Sequence, residues 1–216
     1  MPVSLRDRIF AAGYDTLSAP WEKRHGTSLR RKLLANARGR VLEIGVGTGL
    51  SIPLYPPVDE LVATDPSEPM LRRARRRAAE TGRDVAFAEA PAEQLPFEDD
   101  SFDTVVSMLV LCTVENQQRA LQEIRRVLRP NGQFLFSEHV RSDDPKLARW
   151  QDRLEPIWGV VANGCHPNRN TLDGIRAAGF DVSGVEQGEL PGFPKLVRSY
   201  ISGRALVRGE KEAPTV

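Results

Sequence analysis

Residues 40–56 read RVLEIGVGTGLSIPLYP. The apolar run Val41-Leu42-Glu43-Ile44 has the length and β-branched content of a buried strand, and it ends in glycines at alternate positions, Gly45, Gly47 and Gly49. A strand that runs into such a turn and then into a helix brings backbone close to a ligand. Four further segments read as strands of the same kind: DELVATD, DVAFAEA, FDTVVSMLV and GQFLFSEHV. Between them lie helical patterns. SEPMLRRARRRAAETG starts at a Ser67 cap, carries Met70, Leu71, Ala74 and Ala78 on one face and stops at Gly82. NQQRALQEIRRVLRPNG carries Ala120, Leu121, Ile124, Val127 and Leu128 and stops at Pro130-Asn131-Gly132. Strands alternating with helices predict βαβ units and a parallel sheet covered on both faces.

After the fifth strand, PKLARWQDRLEPIWGVVANG predicts an amphipathic helix with Trp150, Leu154, Ile157 and Trp158 as its stripe, and NRNTLDGIRAAGF a shorter one. FDVSGVEQGEL and VRSYISGRAL read as two last strands, for a total of seven. Residues 1–36 should form helices over the carboxyl ends of the strands, where an open α/β sheet binds its ligand. The organisation expected is a helical cover at 1–36, a core domain at 37–208 and a flexible tail at 209–216.

Composition excludes several classes. The formal charge is +1 over 216 residues, with 27% charged and 40% hydrophobic residues, so no global field draws nucleic acid or an anionic membrane. The cluster Arg72, Arg73, Arg75, Arg76, Arg77 lies opposite the apolar stripe of its helix and reads as a solvated face. Two cysteines, Cys112 and Cys165, make no disulfide framework, and no apolar run reaches the roughly 20 residues of a membrane span. These features imply a cytoplasmic protein with a small-molecule partner, no nucleic acid and no stable membrane insertion; a monomer or homodimer is expected.

The glycine spacing selects the ligand. Dinucleotide binders use G-x-G-x-x-G, whose first helical turn seats a pyrophosphate. Here the spacing is E-x-G-x-G-x-G, with Leu50 where the last glycine of that pattern would stand, which opposes a nicotinamide oxidoreductase and suits S-adenosyl-L-methionine, a ligand without phosphate. Glu43 is placed to face the methionine ammonium, and the amino end of the next helix favours its carboxylate. Asp65, closing the second strand, is placed to accept hydrogen bonds from ribose hydroxyls, with a helix-capping role beside Ser67 as the alternative. A non-catalytic scaffold that keeps the cofactor fold is a further alternative.

The ordered motifs Tyr14-Asp15, VLEIGVGTG, ATDPSEPML, AEQLPFEDDSFDTVVS, EIRRVLRPNG and AAGF resemble class I S-adenosylmethionine-dependent methyltransferases of the ubiquinone/menaquinone-biosynthesis type. The resemblance implies a Rossmann-like class I methyltransferase fold with a seven-stranded, mostly parallel sheet. It implies that Glu43, Gly45, Gly47 and Gly49 hold the methionine end, Asp65 with Pro66 the ribose, and the Ala92-Glu93 region the adenine. Pro91 stands where that family often has an Asp, which leaves the adenine to the backbone of Ala92 and Glu93. Tyr14 is expected to close over the methionine end, and Ser107 and Met108 to pass it through backbone groups. LVLCTV, LQEIRRVLRP, SEHV, EPIW and NGCHPNRNTLDGI are similar, more narrowly, to the methyltransferase-like alkyl-thiol methyltransferases and their bacterial relatives. A thiol sulfur is therefore the first expectation for the methyl acceptor, with an amine or hydroxyl of a small metabolite or phospholipid headgroup as the alternative. His139, at the rim of the fifth strand, and His166, on a loop after a helix, are the candidate catalytic residues; no metal is expected, since Cys165-His166 lacks further ligands.

Overall fold

The computed structural model describes residues 5–162 and 164–207. The flexible-tail expectation at 209–216 lies outside the described residues. The chain opens with α1 (Leu5–Trp21), a π-helical turn (Glu22–Gly26) and α2 (Thr27–Leu34), then β1 (Arg40–Ile44). β2 (Glu60–Asp65), α3 (Glu68–Glu80), β3 (Ala86–Glu89), β4 (Phe102–Met108), α4 (Gln117–Val127) and β5 (Leu128–His139) alternate as the sequence pattern requires. α5 (Pro145–Val161), α6 (Thr171–Ala177), β6 (Phe180–Glu189) and β7 (Ser199–Val207) complete a seven-stranded sheet of order β3-β2-β1-β4-β5-β7-β6. The first five strands are parallel, and β7 runs antiparallel to both β5 and β6.

Strand order reverses between β1 and β4, and the crevice outside their carboxyl ends is where an α/β sheet of this kind receives a ligand. Alternate residues of each strand face opposite sides. Phe134 and Phe136 of β5 pack with Ala120, Leu121 and Ile124 of α4 on one side. Leu135 packs on the other with Leu33 and Leu34 of α2 and Val106 and Met108 of β4. Leu71, Ala74 and Ala78 of α3 are buried against Ala63 and Ile52, as their spacing predicts.

Three local readings differ. α4 ends at Val127, and Arg129–Gly132 bulges out of register as β5 begins, with Asn131 at φ 66°. On α5 the buried stripe is displaced: Trp150 and Ile157 are 54% and 65% exposed, whereas Gln151 is fully buried. The Gln151 side chain donates to the carbonyls of Val140, Pro167 and Leu196 at 3.0–3.2 Å and accepts from Ser142 N–H at 2.8 Å. An amide with four backbone partners is satisfied inside, and it turns the helix so that Trp150 faces out. Of the arginine cluster on α3, Arg77 does not stand free in solvent; it bonds Asp15 of α1 at 2.9 Å.

Candidate active site

The turn after β1 is held by backbone geometry that side chains resist. Gly45, Gly47 and Gly49 all adopt positive φ (58°, 56° and 81°). A Cβ at Gly45 would lie 2.5 Å from the Val110 side chain, and one at Gly49 would lie 3.0 Å from the Ala74 backbone, so those glycines permit close packing against the next loop and α3. Gly47 differs: nothing lies within 4 Å of its missing Cβ, and its bare backbone faces open space at the end of the sheet.

Asp65 joins this turn to the next one. Its carboxylate accepts from Gly47 N–H at 2.9 Å and from Ser67 N–H at 2.8 Å. The capping alternative is thus partly realised, since Ser67 makes no side-chain cap of its own. Burial pushes the Asp65 carboxyl up to about 6, against the downward pull of these two amides. Each oxygen retains acceptor capacity, which is what a pair of ribose hydroxyls requires.

Glu43 is fully buried at the end of β1. Tyr55 Oη donates to it at 3.0 Å, and the Ser51 hydroxyl is its other hydrogen-bond partner. Behind Ser51 stands Arg30 of α2, whose Nη1 donates to Ser51 Oγ at 3.0 Å. Arg30 in turn makes two bonds to Glu22, at 2.8 and 3.2 Å. Desolvation pushes Glu43 up to about 7, opposed by Ser51, Arg30 and Tyr55. Tyr14 is half-buried near Arg30 and Glu22, and desolvation raises its phenol. Asp15 accepts from Thr48 Oγ1 at 2.6 Å, so α1 is tied directly to the glycine turn.

The loop after β4 forms the opposite wall. Glu138 of β5, fully buried, accepts from Ser107 Oγ at 2.6 Å, Val110 N–H at 3.0 Å and Cys112 N–H at 3.2 Å. Arg169 donates to the carbonyls of Leu111 and Val114 at 2.7 Å, and His166 N–H donates to Cys112 O at 2.7 Å. Leu109, at φ 60°, marks where this loop leaves the sheet. Met108 is buried on the α2 face. Across the crevice, Ala92 is buried, Pro66 is exposed, and Glu93 accepts from Asn116 N–H at 3.1 Å.

Of the candidate set for the cofactor, Glu43, Gly45, Gly47, Gly49, Asp65, Pro66, Ser107 and Met108 lie at the carboxyl ends of β1, β2 and β4, Ala92 and Glu93 follow β3 and Tyr14 is on α1, whereas the two histidines do not meet. His139 is buried on the side of Leu135, its ring 5.2 Å from Phe193, and Phe193 packs at 4.8 Å on Trp21. It is covered, not set at an open rim. Burial pushes it down to about 4, so it is uncharged at neutral pH, and its Nδ1 has no hydrogen-bond partner among the described residues. His166 reaches the β4 loop from the side of Glu138, and its Nδ1 contacts Glu155 of α5. Sequence reading missed Glu22, Arg30, Ser51, Tyr55, Glu138 and Arg169. Only Glu138 had a visible signal, a carboxylate inside an apolar strand, and His139 beside it drew the attention.

These residues fit S-adenosylmethionine: bare backbone at Gly47, a buried acid with spare acceptors at Asp65, and a buried carboxylate short of positive charge at Glu43. Residues 42–136 match the family model described as a methyltransferase domain. The human thiol S-methyltransferase TMT1A is 36% identical over 172 residues, which cover 77% of this chain and 70% of that protein. A phosphatidylethanolamine N-methyltransferase of Cereibacter sphaeroides is 41% identical over 132 residues, 59% of this chain and 65% of that one. In structure, an S-adenosylmethionine-dependent methyltransferase from Thermotoga maritima, described as a possible histamine N-methyltransferase, superposes with a TM-score of 0.67 at 24% identity, over 93% of this chain and 99% of its own. The fold and site define a Rossmann-like class I enzyme. The chain belongs to the S-adenosylmethionine-dependent methyltransferases, and S-adenosyl-L-methionine is its methyl donor.

Proposed function

We propose that the chain methylates the sulfur of a small thiol, in the cytoplasm, as a monomer or homodimer. The helices before residue 37 act as a cover over the catalytic domain that follows. Glu43 and the turn Gly45, Gly47, Gly49 hold the methionine end of the donor, Tyr14 closes over it, and Ser107 and Met108 pass it through backbone groups. Asp65 with Pro66 takes the ribose, and the backbone of Ala92 and Glu93 takes the adenine. His139 and His166 stand on the acceptor side.

The donor supplies an electrophilic methyl group on a sulfonium. The chain's task is to align the acceptor in line with that methyl and to exclude water. A thiol loses its proton to solvent, its sulfur takes the methyl as the methyl–sulfonium bond breaks, and the donor departs as a neutral thioether. The observation that carries the sulfur reading is that no unengaged base stands at the crevice among the described residues, His166 being paired with Glu155. His139 is a poor proton acceptor at about 4, and Glu43, Asp65 and Glu138 are engaged by hydrogen bonds. A thiol ionises near neutral pH and needs little help, whereas an alcohol or ammonium needs a positioned base. The likeness to thiol S-methyltransferases at 35–36% identity supports the same reading.

A turnover screen tests it, using purified protein, S-adenosylmethionine and a panel of alkyl thiols, amines, phenols and phosphatidylethanolamine vesicles. The expected product is an S-methyl thioether formed one for one with S-adenosylhomocysteine. Methylation of an amine, a phenol or the phospholipid headgroup with no thiol turned over would reject sulfur and promote the alternative.

A further inference from the structure

The buried charges around Glu43 do not balance. Glu22 and Glu43 are two carboxylates with one guanidinium, Arg30, between them, and the other polar neighbours of Glu43 are the neutral hydroxyls of Ser51 and Tyr55. Arg30 is committed geometrically to Glu22, through Nε at 3.2 Å and Nη2 at 2.8 Å, and reaches Glu43 only by way of Ser51. These groups come from the π-helical turn and the adjoining α2 on one side, and from β1 and the stretch after it on the other. The turn leaves no slack, because a Cβ at Gly26 would lie 2.4 Å from Glu22 Oε2. π-helical turns recur at functional sites, where they re-aim a side chain. A buried cluster holding an excess carboxylate is completed by a cation.

We propose that Arg30 is a positioning residue for the methyl donor: through Ser51 it orients the Glu43 carboxylate and favours its charged form, so that the donor's ammonium completes a buried cluster one positive charge short. This rests on the reading of Glu43 as the methionine-end contact. Docking of the Glu22–Gly26 turn is then coupled to donor binding, because the same guanidinium serves both carboxylates.

Proton linkage makes the role visible. Glu43 is faced by Arg30 from α2 and by Ser51 and Tyr55 from the segment after β1, with Glu22 and Tyr14 standing behind Arg30. Its carboxyl sits at about 7 in the free protein, so the ammonium binds the ionised form and expels the proton from the rest.

The test is calorimetric titration with S-adenosylhomocysteine, which carries the same methionine end, at pH 7 in buffers of different ionisation enthalpy. Wild-type protein should release about half a proton per site. Ser51→Ala keeps every charge and cuts the relay; Arg30→Met with Glu22→Gln removes the ion pair without stranding a charge. In both, proton release should rise toward one, and affinity should fall on the order of tenfold, the size of a hydrogen bond to a charged group. A merely structural Arg30 would lower affinity or melting temperature and leave the proton count alone. Unchanged proton release in both variants overturns the proposal; if the double variant does not fold, Ser51→Ala decides alone. Glu43→Gln separates the two levels. It should weaken binding and abolish proton release. Wild-type affinity in Glu43→Gln would sink the Glu43 reading itself, whereas weak binding there with wild-type proton release in the relay variants sinks only the relay.

Discussion

Asp65 carries two duties on one carboxylate, and they predict different things. As the partner of Gly47 N–H and Ser67 N–H it fixes two turns, and in the proposed function its spare lone pairs meet the ribose. Asp65→Ala should weaken S-adenosylhomocysteine binding by roughly 1.5 to 3 kcal/mol, measured by titration, with the protein still folded. An unchanged dissociation constant would leave Asp65 with the turn-fixing duty alone. Both duties were named from sequence, because a carboxylate ending a strand two residues before a serine is a local signal. Glu22, Arg30 and Ser51 gave no such signal: each is an ordinary residue in its own stretch, and their meaning arises only when the fold brings them within 3.2 Å.

At the level of elements, strands and the helices between them were legible because their apolar periods are local and strong. The stripe of α5 was not, since Gln151 satisfies its amide from three surrounding segments and overrides the apolar pattern. The β4 loop shows the same dependence on distant partners. Glu138, Arg169 and the His166 backbone fasten residues 110–114, and all three lie later in the chain. Glu138→Ala strips Ser107 Oγ, Val110 N–H and Cys112 N–H of their acceptor. The expected cost is about 3 kcal/mol, on the order of 10 °C in Tm for a chain of this size, with turnover falling more than cofactor affinity. Thermal unfolding checks it, and an unaltered Tm would show that Arg169 and the His166 backbone hold the loop without Glu138.

For the whole molecule, the site is built at a cost in apoprotein stability that pH exposes. Glu43 and Asp65 are acids raised to about 7 and about 6, so the folded state holds their protons more tightly than the unfolded chain does. Each therefore destabilises the apoprotein above its folded pKa, and the penalty fades as pH falls through it. Between pH 8 and 6.5 the apoprotein Tm should rise on acidification; below that His139, a base lowered to about 4, opposes the trend. Saturating S-adenosylhomocysteine should flatten the rise by supplying Glu43 with its cation. A Tm that falls from pH 8 to 6.5 in the apoprotein would contradict these assignments.

In the proposed function the crevice at the ends of β1, β2 and β4 seats a sulfonium nucleoside and not a dinucleotide, because E-x-G-x-G-x-G leaves no pyrophosphate seat. Parallel calorimetric titrations of the purified chain with S-adenosylhomocysteine and with NAD test this most directly. The expected result is saturable one-site binding of S-adenosylhomocysteine, lost or weakened in Asp65→Ala, and no heat of binding with NAD. Tight NAD binding alongside no response to S-adenosylhomocysteine would contradict it.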